Sequence, residues 1–257
     1  TAMARELKIA EAKPERAWSS NWTARDALFA GQFHLAHQRF EQSVQTVLRQ
    51  NFREFAAQWT LEDAEGHAVA DECATAQSEV SAGLALRRDN FTLERAGRTL
   101  ALCGAEARAT ELVDELVRRF PAATLTLRLH RPVILAALAL NRGDAARAVS
   151  ELDPVAQYDH APAAEFWPSY LRGLAQLRLK DGRSAAAAFE HIVNHRGEAP
   201  TSPLYALAHL GLARAAVLTN DATAARNNYE TFFSLWKNAD SELSAVRQAR
   251  AEYAQLQ

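Results

Sequence analysis

The feature that most restricts what this chain can fold into is a spacing. Turn-forming residues recur at Gly31, Gly66, Gly104, Gly143, Gly182 and Asn220-Asp221, at intervals of 35, 38, 39, 39 and 38 residues. Each lies between two stretches of apolar residues spaced as on a helix, so the implied unit is helix A, tight turn, helix B. A small residue precedes most of these turns by seven positions (Ala24, Gly97, Ala136, Ala175, Ala213), and an alanine follows by five (Ala36, Ala109, Ala148, Ala187, Ala225). Small side chains at fixed offsets let paired helices approach closely.

A helical hairpin buries its apolar face only against its neighbours, so six of them in series predict an all-α solenoid, an elongated curved body with no single central nucleus. Helices A are expected near 17–29, 51–64, 90–102, 130–141, 168–180 and 203–218, and helices B near 33–49, 67–87, 106–119, 145–157, 184–195 and 222–236. Residues 1–16 read as a lead or linker, 17–240 as the repeat domain and 241–257 as a polar-faced capping helix. Composition agrees: alanine supplies roughly a fifth of the chain and isoleucine occurs only at Ile9, Ile134 and Ile192, a balance that favours helix over strand. All eight prolines fall between the expected helices or in the first or last turn of one, where a helix must begin or end anyway. Ser202-Pro203 is expected to open a helix, and Asp144 and Asp221 to place carboxylates at the positive ends of theirs.

Leu93-x2-Ala96-Gly97-x2-Leu100, Gly104, Ala109-x3-Val113, Leu116 and Pro121 together resemble the tetratricopeptide repeat, and the next unit continues with Ala136, Gly143 and Ala148-x3-Leu152. The resemblance covers about 20–240 and implies a right-handed superhelix of about six hairpins with helices A on its concave side. HEAT-type helix pairs, with units of about 40–47 residues, are the alternative. The wording of the second half, from FWPSYLRGLAQLRLKDGRSAAAAFEHIVNHRG through RQARAEYAQL, looks like the C-terminal repeat region of bacterial serine/threonine protein kinases or winged-helix transcriptional regulators. That resemblance implies a regulatory or sensory part of a longer signalling chain. No Gly-rich phosphate loop, HRD-type loop or DFG is present here.

Several function classes are disfavoured. A net charge of -2 is unlike the basic balance of a nucleic-acid binder, and no apolar run approaches the roughly 18 residues of a membrane span. Cys73 and Cys103 are too few for a disulfide framework and are expected to act as small apolar packing residues. His191 and His195 stand at i and i+4, but Ile192 occupies the place of the glutamate in HExxH and no third ligand is evident nearby. His34 and His37 are read the same way, so no metal and no cofactor is expected. No nucleophile elbow or phosphate loop argues for an enzyme. A cytoplasmic location is expected, with the outer side of a membrane-anchored parent as the alternative.

The offsets that face the concave side select Asn21, Arg25, Phe91, Arg98, His130, Arg172, Gln176 and Arg214, with Arg95 beside Arg98. Arginine forks bind carboxylates bidentately, so the expected ligand is a protein or peptide, acidic or presenting its C-terminus. Because 25 of the 29 basic residues are arginine, ion pairs within the chain are the competing reading of the same residues. A small-ligand sensor and a scaffold for self-association are the alternative functions. Trp18 and Trp22 are expected to staple the first helix onto the second unit, and Phe232, Phe233 and Trp236 to dock the cap through Tyr253 and Leu256.

Overall fold

Seven turns share one geometry in the computed structural model, which describes residues 16–256 and so leaves all but the last residue of the expected lead outside the description. Gly31, Asn51, Asp71, Gly104, Gly143, Lys180 and Asn220 all have φ between 60° and 81°, the left-handed conformation that ends an α-helix. At Gly31 the turn N–H donates to the Leu28 carbonyl (3.0 Å) and the next N–H to that of Ala27 (2.9 Å). Lys180 and Asp181 repeat this on Leu177 and Gln176 (3.1 and 3.0 Å). The last helical carbonyls are thereby satisfied within the turn.

These turns and the longer connections separate thirteen α-helices among the described residues: α1 (Arg16–Phe29), α2 (Phe33–Arg49), α3 (Arg53–Val69), α4 (Cys73–Leu86), α5 (Asn90–Leu102), α6 (Glu106–Arg119), α7 (Arg131–Asn141), α8 (Ala145–Leu152), α9 (Trp167–Arg178), α10 (Gly182–Asn194), α11 (Leu204–Leu218), α12 (Ala222–Leu235) and α13 (Ser244–Ala254). A π-helical run, Thr126–His130, leads into α7, and short 3-10 turns fill much of 153–166 between α8 and α9. Asp89, Asp144, Asp181 and Asp221 each accept the backbone N–H three residues on, which satisfies a free donor at a helix start. Pro203 is itself the residue before α11 rather than its first helical position, while the Ser202 hydroxyl accepts from the Leu204 N–H (3.3 Å). Among the described residues there is no strand, and no helix is long and apolar enough to cross a membrane.

Two expected turns are elsewhere. Gly66 lies inside α3, where a Cβ would come within 2.8 Å of Leu28; its missing side chain serves helix contact, and Asp71 makes the turn. Gly182 begins α10, and Lys180 makes the turn. With the left-handed residues as origin, the offsets hold in all six hairpins. Seven residues before stand Ala24, Ala64, Gly97, Ala136, Gly173 and Ala213, and five after stand Ala36, Ala76, Ala109, Ala148, Ala185 and Ala225, all buried. Four further on comes a larger buried side chain: Phe40, Val80, Val113, Leu152, Phe189 and Tyr229. Ala187, expected in this set, is exposed, because the turn of its unit lies two residues earlier.

Each helix packs on its successor, and α3 on α5, α5 on α7, α7 on α9 and α9 on α11 as well. Trp18 meets Phe55 and Trp59 edge-on, at 4.7 and 5.2 Å between ring centres, so it packs on the second hairpin as expected. The two ends of the chain also meet. Helix α11 touches α1, Phe29 stacks on Tyr205 with Arg196 over both rings, and the Trp236 indole N–H donates to the Phe29 carbonyl (3.0 Å). Trp236 therefore packs on Phe33 of the first hairpin rather than docking the cap, which Tyr229 and Phe233 hold through Tyr253. The first and last hairpins of the series are thus in contact, which the expectation of an elongated curved body did not include. Cys73 and Cys103, expected as packing residues, form a disulfide that ties the start of α4 to the end of α5.

Candidate functional site

A four-membered charge cluster forms where Glu65 of α3, Arg95 and Arg98 of α5 and Glu165 from the passage before α9 meet. Glu62 and Glu65 on α3 stand three residues apart, as do Arg95 and Arg98 on α5, so neighbouring helices present carboxylates and guanidiniums at matching levels. Arg95 Nη1 donates to Glu65 Oε2 (2.7 Å) and Arg98 Nε to Glu65 Oε1 (2.5 Å). From the passage before α9, Glu165 receives both arginines: Arg95 Nη2 at 2.8 Å and Arg98 Nη2 at 3.1 Å. Arg98 is 2% exposed and lies over the Trp167 ring. A buried guanidinium, Arg98, and a partly buried one, Arg95, are thus closed by two carboxylates, the condition under which burying charge is tolerable. Burial alone would push the Glu165 carboxyl up, and the charges of Arg95 and Arg98 more than offset it, holding it below the ordinary range. Glu165 and Phe166 are consecutive non-glycine residues with positive φ, 48° and 69°, a costly backbone that the surrounding contacts hold in place.

A cleft of about 670 Å³ opens beside this cluster, lined among others by Phe91, Arg95, Arg98, Leu125, Thr126 and His130. Phe91, 64% exposed, and Leu125 are apolar surfaces left open among these lining residues. Among the buried polar groups of the cleft, the Thr126 hydroxyl donates to Glu94 and His130 Nε2 lies 3.4 Å from the same carboxylate. Burial and then the Arg98 charge push His130 down to about 3, so its imidazole is neutral; burial likewise pushes Glu94 up. A smaller cavity of about 250 Å³, lined by Trp22, Arg25, Trp167 and Pro203 among others, shares Glu62, Arg95 and Glu165 with the cleft, so those three form a common wall.

The cleft brings together Phe91, Arg95, Arg98 and His130. Arg25 lines the neighbouring cavity, bound to Glu62 at 2.5 and 3.0 Å, and Asn21 donates to the same carboxylate at 3.5 Å. Arg172, Gln176 and Arg214 line neither space. Arg172 is engaged by Asp159 (2.9 Å) and Arg214 by Glu252 of α13 (2.9 and 3.0 Å). Arg25, Arg95, Arg98, Arg172 and Arg214 are thus all paired within the chain, which is the second of the two readings the sequence left for them. A guanidinium placed between helices loses water and takes the nearest carboxylate. The matched three-residue spacing of Glu62/Glu65 and Arg95/Arg98 was readable in the sequence; Glu165, far along the chain and in an irregular segment, left no such signal.

Two groups of metal-ligating type also assemble, where the sequence reading saw no third partner. His160 joins His191 and His195, with ring centres 4.7 Å apart in each pair. His160 Nδ1 is held by Glu198 (2.8 Å) and His195 Nδ1 by the His191 carbonyl (2.7 Å). His37 joins Asp63, His67 and Glu79, on α2, α3 and α4, and is bonded to Asp63 at 2.7 Å. The Asp63 hydrogen bond is the main influence pushing His37 up to about 9, against burial, while burial above all pushes Glu79 up to about 8. In a comparison with known proteins, no family model matches the chain and no curated protein does either.

Proposed function

We propose that the chain is a non-catalytic recognition module built as a right-handed superhelix of six tetratricopeptide-type hairpins, a regulatory part of a larger bacterial signalling protein of the serine/threonine protein kinase type. What supports the repeat type is the small–small–large pattern that recurs about the left-handed turn residue inside each of the six hairpins. The ligand surface in this reading is the cleft between α3, α5 and residues 123–130, and the ligand is a peptide segment bearing a carboxylate. One observation carries it: Arg95 and Arg98 converge on a carboxylate, that of Glu165, which a strained backbone turn presents to them. An acidic side chain or C-terminus of a partner would take that place, with an apolar neighbour resting on Phe91 and Leu125. The disulfide favours the outer side of a membrane-anchored parent over the cytoplasm as the location.

Fluorescence anisotropy with a library of labelled Asp/Glu-rich peptides tests this. Glu165→Ala should tighten capture about tenfold by removing the internal competitor, and Phe91→Ala should weaken it. A library that binds none of wild type, Glu165→Ala and Phe91→Ala would refute the reading.

The concentration of Thr92, Glu94, Arg98, Thr126 and His130 in one cleft, rather than along all six A helices, favours a second reading, a sensor of a small organic acid. A melting-temperature rise with a single di- or tricarboxylate, and none with peptides, would select it.

A further inference from the structure

The group on α2, α3 and α4 carries an inference independent of the cleft. We infer that His37, Asp63, His67 and Glu79 form a binding site for one divalent transition-metal ion of the zinc class.

The spacing is the first argument. Four ligands in a tetrahedron with metal–ligand bonds of about 2.0–2.1 Å stand about 3.3–3.4 Å apart along its edges. His37 Nδ1 lies 3.3 Å from His67 Nε2 and 3.4 Å from Glu79 Oε1; His67 Nε2 lies 3.8 Å from both Asp63 Oδ1 and Glu79 Oε1. The 2.7 Å bond between His37 Nδ1 and Asp63 Oδ2 has to lengthen and the two 3.8 Å separations, one of them to the other oxygen of Asp63, to shorten by about half an ångström. All four donors already lie within 4.8 Å of one another.

The second argument is orientation. His67 Nδ1 is engaged by Glu72 Oε2 at 2.5 Å, and an imidazole that gives its N–H to a carboxylate leaves the opposite nitrogen with its lone pair facing the site. This is the outer carboxylate that metal-bound histidines regularly have. The other oxygen of Glu79, Oε2, is buried and has no hydrogen-bond partner. Asp63 and His67 sit one turn apart on a single helix and are both buried, so their geometry is set by a rigid element.

Charge is the third. At Glu62, Glu65, Asp159 and Glu252 the molecule sets an arginine against a partly or fully buried carboxylate, while Glu94 is held by Thr126 and His130 instead. Among the described residues, no arginine or lysine pairs with Asp63, Glu72 or Glu79; their only partners of that kind are His34, His37 and His67. Three carboxylates with no fixed cation beside two imidazoles are suited to a dication, and a two-nitrogen, two-oxygen set of tetrahedral size suits zinc better than magnesium or calcium.

The test uses the full chain, stripped with a chelator and dialysed against micromolar zinc, with bound metal measured by mass spectrometry and cobalt substituted as a spectroscopic probe. One equivalent of zinc, a tetrahedral cobalt band and a raised melting temperature are expected for the wild type and for His195→Ala. Glu79→Gln and Asp63→Asn, which preserve shape, should each lower affinity at least tenfold, and Glu72→Gln by 10–100-fold through the outer contact. No bound zinc in the wild type, or zinc that survives Glu79→Gln and Asp63→Asn unchanged, would overturn the site. So would zinc lost from His195→Ala alone, which would place the metal at the other histidine group.

Discussion

At the scale of single residues, the same side chain reads differently once its neighbours are known. Arg98 was selected because its offset faces inward, and that placement is what buries it between Glu65 and Glu165. Arg98→Ala is therefore expected to destabilise the fold by roughly 3 kcal/mol, since it leaves the buried Glu65 carboxylate short of a partner. Urea unfolding measures this, and an unchanged midpoint would contradict the burial. His130 gives a pH dependence. Its folded value, about 3, lies below the unfolded 6.5, so the unfolded chain binds the additional proton and stability rises with pH across that window. As pH falls from about 6.5 toward 3, the contribution of a neutral His130 is lost. His130→Gln should flatten the decline in stability between pH 7 and 5, and a decline as steep as that of the wild type would contradict the assignment. Lys180 holds a left-handed backbone that favours glycine. Lys180→Gly should raise stability by about 0.5–1 kcal/mol, visible as a small increase in melting temperature.

Between helices, what was legible was period and class; what was not was register. Glycine suits both a left-handed turn and a close helix contact, and the letter alone does not separate them. Gly31, Gly104 and Gly143 make turns, whereas Gly66 makes room for Leu28, and the turns at Asp71 and Lys180 carry no glycine. The run Ala185–Ala188 hid a two-residue shift for the same reason, since every candidate in it is alanine. The site was half legible: residues on helices could be placed by periodicity, while Glu165 and His160 come from 153–166, where no periodicity exists. One packing detail follows from the corrected register. Phe189 of α10 lies against Gly173 of α9 and Gly211 of α11, and a Cβ at either glycine would come within 2.5 Å of its ring. Gly173→Ala should cost about 1–3 kcal/mol by overpacking. A variant as stable as the wild type in calorimetry would show that the ring has room to move.

For the molecule as a whole, closure is the property that local sequence could not announce. Whether a helical array meets itself depends on small rotations accumulated over six hairpins, and no single turn or offset encodes their sum. Once the ends are close, identifiable residues hold them: the Asp240 N–H donates to the Gly31 carbonyl (3.0 Å), the His34 N–H to the Asp240 carboxylate (3.0 Å) and the Trp236 indole to the Phe29 carbonyl. Gly31 is the tightest point, because its φ of 73° is left-handed and a Cβ there would stand 2.7 Å from Ala239 and 2.8 Å from the Trp236 ring. Closure also makes the array depart from simple nearest-neighbour behaviour, since the first and last hairpins stabilise each other. Gly31→Val is accordingly expected to part the ends: the radius of gyration from small-angle X-ray scattering should rise while circular dichroism keeps most of its helical signal. Thermal unfolding should then broaden, as terminal hairpins freed from one another melt ahead of the middle. An unaltered radius with a single sharp transition would mean that the contact between the ends does not hold the array shut.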